Sequence, residues 1–105
     1  MAALLLAASC SSKPATPPEE ILGRPVAEDR YQAMSCKDLD LELEFLHRRD
    51  RQLAEAQRSS YRNSQINKLV WGHTKGDGPV AEELAQVRGE LEAIRRVLAR
   101  KNCPR

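Results

Sequence analysis

Apolar positions in the chain fall at helical spacing from Leu39 onward. Leu39, Leu43, Leu46 and Leu53 share one face, with Ala54 and Tyr61 close to it, while Leu41, Phe45 and Ala56 form a second, flanking side. Asp50 and Gln57 interrupt the main stripe, so amphipathicity is moderate. Ser35 stands where an N-cap belongs, and Asp38, three residues on, is a shortened capping-box acid. Met34 and Leu39 occupy the two positions of a hydrophobic staple. The pattern predicts a helix over about residues 36–68, weakest across Ser59–Ser64, where propensity falls.

A second helix is predicted over 79–102. Val80, Leu84, Val87, Leu91, Ile94 and Leu98 alternate four- and three-residue steps, a heptad seam. Pro79 suits the first helical position, and Asn102 with Pro104 ends the run. Glu82 and Glu83 early, and Arg95, Arg96, Arg100 and Lys101 late, complement the helix dipole. Between the helices, residues 71–78 carry Gly72, Gly76 and Gly78 and read as a turn. Two seams and a short connection imply an all-α, antiparallel two-helix hairpin. At ~1.5 Å per residue the two helices would be roughly 50 and 36 Å long, so either the connection folds back or the first helix ends early. The pattern allows both.

Upstream the pattern changes. Pro14, Pro17, Pro18 and Pro25 all precede residue 30, and residues 11–20 are polar and proline-rich. Such a stretch predicts a disordered, solvated leash over residues 10–33, separate from a folded unit at 34–105. A leash joined to the open end of the hairpin would make the Trp71–Gly78 loop the far tip.

The cysteines bear on the hairpin independently. Cys36 opens the first helix and Cys103 closes the second; their midpoint, (36 + 103)/2 = 69.5, falls beside the turn. An antiparallel hairpin brings the two together at its open end, where a disulfide would contribute about 4 kcal/mol by chain-entropy reasoning. A domain this small needs such a staple or a partner subunit.

Composition narrows the function more than it identifies it. The 105 residues carry 17 Lys and Arg against 15 Asp and Glu, a net charge of +2 that offers no field to nucleic acid. Arg48, Arg49 and Arg51 are offset locally by Asp50 and Glu55 and read as a solvated face. The glycines of 72–78 lack the Gly-Lys-Ser/Thr ending of a phosphate cradle. His47 and His73 have no paired spacing, and His73 with Asp77 would hold a cation only weakly. Cys36 at a helix N-terminus would favour a thiolate, but its partner's placement favours a structural bridge. No nucleophile, base and orienting group assemble into a set, so no enzyme, cofactor or metal site is expected. The candidate partner contact is the turn itself: Trp71, His73, Lys75 and Asp77.

The N-terminus carries an address. Ala2 to Ser9 form a short apolar run ending in small residues, and Cys10 follows at once. The run is shorter than the ~20 residues a membrane span needs. This arrangement resembles the lipobox of bacterial lipoproteins, with Ala7 where that family prefers Leu. The resemblance implies that residues 1–9 are a removed signal peptide and that Cys10 is lipidated and becomes the first residue, which also accounts for the odd cysteine. Two or more acyl chains would make the anchor stable. Ser11, in place of the Asp that many diderm bacteria read as an inner-membrane retention signal, points by the same analogy to the outer membrane. The Met34-Ser35-Cys36-x-x-Leu39 opening followed by a charged helical region is similar to small uncharacterised bacterial envelope lipoproteins. The expectation is a lipid-anchored periplasmic structural or interaction protein. Its partners would be the membrane, an unidentified envelope protein and a second copy, with Leu41, Phe45, Ala56, Ala81 and Val97 flanking the seams as the surface for a four-helix bundle. The alternative is an accessory module of an envelope transport system that takes a small ligand or metal at loop 71–78.

Overall fold

The computed structural model describes residues 14–104. Two helices dominate it: α2, Cys36–Trp71, and α3, Pro79–Lys101, preceded by a single helical turn, α1, Asp29–Gln32. A 3₁₀ turn at Pro18–Glu20 lies upstream, and no strand occurs among the described residues. Helices α2 and α3 form the antiparallel hairpin, bridged by Cys36–Cys103 with a Cα–Cα separation of 5.6 Å.

Local chemistry accounts for each helix end. The Ser35 hydroxyl accepts a hydrogen bond from the Asp38 amide at 3.1 Å, with Met34 packed against the core and Leu39 buried. Gly72, at φ 80°, ends α2 in the left-handed region where a Cβ would be strained. Pro79 opens α3. At the other end of α3, Asn102 adopts φ 55°; its amide reaches the Ala99 carbonyl and the Cys103 amide reaches the Leu98 carbonyl, at 3.3 and 3.2 Å. This paired return is a Schellman motif, and it turns Cys103 back toward Cys36.

The core follows the seams. Leu39, Leu46 and Leu53 of α2 meet Leu84, Val87, Leu91, Ile94 and Leu98 of α3 in one buried cluster, with Leu43 and Val80 at its margin. Helix α2 runs one turn past the predicted residue 68, and its 36 residues exceed the 23 of α3. The connection therefore folds back: residues 74–78 return along α2 beside Ser60, Asn63, Ser64 and Asn67.

The expectation of a disordered leash is overturned from Pro14 onward. Residues 14–33 form a strap that runs along the hairpin, parallel to α3 and antiparallel to α2. Its start lies against Ser64 and Asp77; its middle crosses α3 at Ala85 and Gly89; its end lies beside Arg96, Arg100 and Lys101. Tyr31, assigned to the leash on composition, is 0% exposed and part of the core. Residues 10–13 of the predicted leash lie outside the described residues.

Two glycines permit the crossing. A Cβ on Gly89 would stand 1.8 Å from the Arg24 carbonyl oxygen, and one on Gly23 would stand 2.9 Å from the Gly89 backbone nitrogen. The Arg24 amide then donates to the Ala85 carbonyl at 2.9 Å. Gly89 belongs to a fourfold-stepped row of small residues, Ala81, Ala85, Gly89, Ala93 and Val97, beside the heptad seam. All are buried or half-buried, so Ala81 and Val97 do not flank the seam as free surface for a second hairpin. Leu41, Phe45 and Ala56 are exposed.

Candidate functional site: the loop end of the hairpin

Proline-rich segments cannot pair through regular ladders, so the strap is held by side chains reaching its carbonyls and amides. Side chains fasten it at three places along the hairpin. Near the middle, the Arg88 guanidinium donates to the Pro18 and Ile21 carbonyls and pairs with Asp50 at 3.1 Å. One planar fork thereby joins strap, α2 and α3. Toward the disulfide end, Glu28 accepts from both Arg96 and Arg100, and these two donated hydrogen bonds hold its carboxyl below the ordinary range. There too the Arg30 guanidinium lies 4.7 Å from the Tyr31 ring centroid and donates to its hydroxyl, while burial pushes the phenol pKa up.

The third hold is at the loop end. The Asp77 carboxylate accepts from the Thr16 amide at 2.7 Å and the Thr16 hydroxyl at 2.6 Å. Gln57, 1% exposed in the middle of α2, donates from one amide nitrogen to the Thr16 carbonyl at 2.8 Å and to Asp77 at 2.9 Å. Ser64 accepts from the Ala15 amide at 3.0 Å and donates to the Tyr61 carbonyl. Partial burial raises the Asp77 carboxyl, but the hydrogen bonds from Thr16 and Gln57 outweigh it and leave the pKa below the ordinary value. Gln57 and Ser64 are thus buried polar residues with their partners supplied by the strap.

The residues singled out from sequence do not assemble as one group. Cys36 and Cys103 are joined. Cys10 and the predicted signal peptide, residues 1–9, lie outside the described residues. Trp71, His73 and Lys75 surround a shallow depression with Asn67 and Thr74. Asp77 faces the other way, both carboxylate oxygens engaged by the strap, and among the described residues no cluster of three metal-ligating side chains occurs. A cleft of about 260 Å³ beside the loop has a mixed lining, with Ser60, Asn63, Asn67, Thr74, Lys75 and Asp77 beside Ala15, Pro79 and Val80.

Two features of this end were not read from sequence. The strap begins here, so the Trp71–Gly78 loop adjoins the start of the strap instead of being the tip farthest from it. The last two turns of α2 also project without cover: Ile66, Leu69, Val70 and Trp71 are 58%, 89%, 62% and 69% exposed. The available signal was the unbroken charge sign of residues 56–76, which hold Arg58, Arg62, Lys68 and Lys75 and no Asp or Glu. Among the described residues no helix is long and apolar enough to cross a membrane. The chain matches no family model, no curated protein and no solved structure.

Proposed function

We propose that this chain is a lipid-anchored protein of a bacterial cell envelope, held by Cys10 and presenting the disulfide-stapled hairpin as a rigid interaction surface to an envelope partner. The observation that carries the reading is the apolar run Ala2–Ser9 ending in small residues directly before Cys10. The Cys36–Cys103 bridge supports it, because disulfides persist in oxidising compartments outside the cytoplasm. The arrangement of the rest is that of a scaffold. Arg88, Arg96, Arg100 and Asp77 fix the strap, and the Cys36–Cys103 bridge staples one end of the hairpin. Leu41 and Phe45, exposed on α2, offer such a partner an apolar face. By the Ser11 analogy the outer membrane is the destination. Metabolic labelling with palmitate tests the anchor: label enters the wild type and is lost in Cys10→Ala. Equal labelling of the two proteins rules the reading out.

A further inference from the structure

We infer that the end of α2, Ile66, Leu69, Val70 and Trp71 with the flanking cations Arg62, Lys68 and Lys75, docks on the membrane–water interface of an anionic bilayer; this rests on the anchor reading above. Four large apolar side chains crowd into the last turns of one helix, and each is more than half exposed. Ile66, Leu69 and Val70 share one side through i, i+3 and i, i+4 spacing, and Trp71 stands at the tip beside the loop. Elsewhere α2 exposes only Leu41 and Phe45 among its large apolar residues.

The occupant is argued from where the chain goes. Ala15 and Thr16 are fastened to Ser64 and Asp77, so the segment upstream of Pro14 is joined to the fold at this end and not at the disulfide. Cys10 is four residues upstream of Pro14, a reach of at most about 14 Å. Among the described residues the α2 tip is the cluster of exposed large apolar side chains at this end of the hairpin, and a bilayer holding Cys10 comes within reach of it. Charge agrees. Among the described residues Arg62, Lys68 and Lys75 make no ion pair, and the nearest acid in the loop, Asp77, is turned onto the strap. Trp and Tyr beside Lys and Arg suit the headgroup region, where an aromatic ring sits at the boundary and a cation meets anionic lipid. One lipidated cysteine leaves the hairpin free to swivel; a second contact at the tip would fix it upright, with the disulfide end about 50 Å from the surface.

Trp71 is the only tryptophan, so its emission reports on this tip alone. The full chain, extracted from envelope membranes with its N-terminal modification intact, is reconstituted into vesicles of phosphatidylethanolamine and phosphatidylglycerol, with and without bromine on the acyl chains. The expected result is flotation with the vesicles, Trp71 emission to the blue of that from vesicle-free Cys10→Ala protein, and loss of most of the emission to bromolipid. The double variant Leu69→Glu, Val70→Glu, altered only at exposed positions, should still float through its lipid but lose the quenching. Flotation with red, unquenched emission overturns this inference and leaves the anchor standing. A chain whose mass shows no lipid and which does not float overturns the anchor reading and this inference with it. Emission already blue in vesicle-free Cys10→Ala protein, and unquenched with vesicles, assigns the tip to a second copy or to residues 1–9 and overturns it as well.

Discussion

Thr16 and Asp77, 61 residues apart, are joined by two hydrogen bonds, one from the Thr16 amide and one from its hydroxyl. The pairing closes the loop end of the hairpin and sets the end of the fold to which the N-terminal chain is joined. Because the Asp77 pKa is depressed in the folded protein, its contribution is present above the unfolded value and is lost as pH falls through the folded one. Stability should therefore decline on acidification below about pH 4. Glu28, depressed by Arg96 and Arg100, acts in the same window and direction. Asp77→Asn should remove part of the acid-side slope and cost about 1 kcal/mol at neutral pH, the exposed setting limiting the effect. Urea denaturation across pH 2–7 measures both, and an unchanged slope in the variant would discount the bond.

Arg88 ties three segments with one side chain, and its geometry uses the guanidinium fork. Arg88→Lys keeps the charge but reaches fewer of Asp50 and the Pro18 and Ile21 carbonyls. We expect Arg88→Lys to destabilise by about 1 kcal/mol and Arg88→Ala by about 2–3 kcal/mol, since Asp50 is left half-buried without its partner. The variants should also raise amide exchange at Arg24, whose hydrogen bond to Ala85 depends on the strap staying in place. Exchange followed by NMR separates loosening of the strap from loss of the whole fold.

Gly89→Ala reverses the usual helix rule. On an open helix surface the change would stabilise by roughly 1 kcal/mol through propensity. Here the new methyl group would meet the Arg24 carbonyl oxygen at 1.8 Å, and backbone must move. The expected outcome is a net loss of about 1–3 kcal/mol, as for an overpacked contact, read as a lowered Tm. A raised Tm would mean that the strap does not cross α3 at this point.

Opening the Cys36–Cys103 bridge should cost about 4 kcal/mol, from the chain entropy of the loop it closes. Non-reducing peptide mapping of protein from the envelope should find the two peptides joined; free thiols at both positions would exclude the bridge in the cell. Asn102 belongs to the same device. Asn102→Gly should leave stability nearly unchanged at φ 55°, whereas Asn102→Val should lower it by about 1 kcal/mol or more, with the C-terminus turned away from Cys36.

Burial of Ala81 and Val97 within the monomer removes them from a four-helix interface and leaves, of the residues flanking the seams, Leu41, Phe45 and Ala56 on α2. The unlipidated Cys10→Ala chain should sediment as a single species at monomer mass at micromolar concentration. Phe45→Glu should change its stability by less than about 0.5 kcal/mol, as for an exposed position. A dimer dissociated by that substitution would make this side a self-association surface.

The starts of both helices, the α3 seam, the Ser35 cap and the paired cysteines were legible in the sequence because each is set by chemistry within a few residues. Ser35 needs only Asp38, a heptad needs only its own repeat, and the bridge follows from two helices of opposite direction. The leash reading failed for the opposite reason. Proline-rich, polar composition describes a chain that cannot fold alone, and residues 14–33 do not fold alone; they bind a surface made by the other two helices. What holds them, the Arg88 fork, the bare backbone at Gly23 and Gly89, and Asp77 with Gln57, pairs residues dozens of positions apart through backbone groups that carry no side-chain signature. A glycine within a helical seam and a row of small residues at every fourth position were the only traces. The sequence by itself determined the two helices and their staple; only the tertiary structure decided the path of the strap, and with it which end of the hairpin stands beside Cys10, because that path depends on close backbone approach between distant segments.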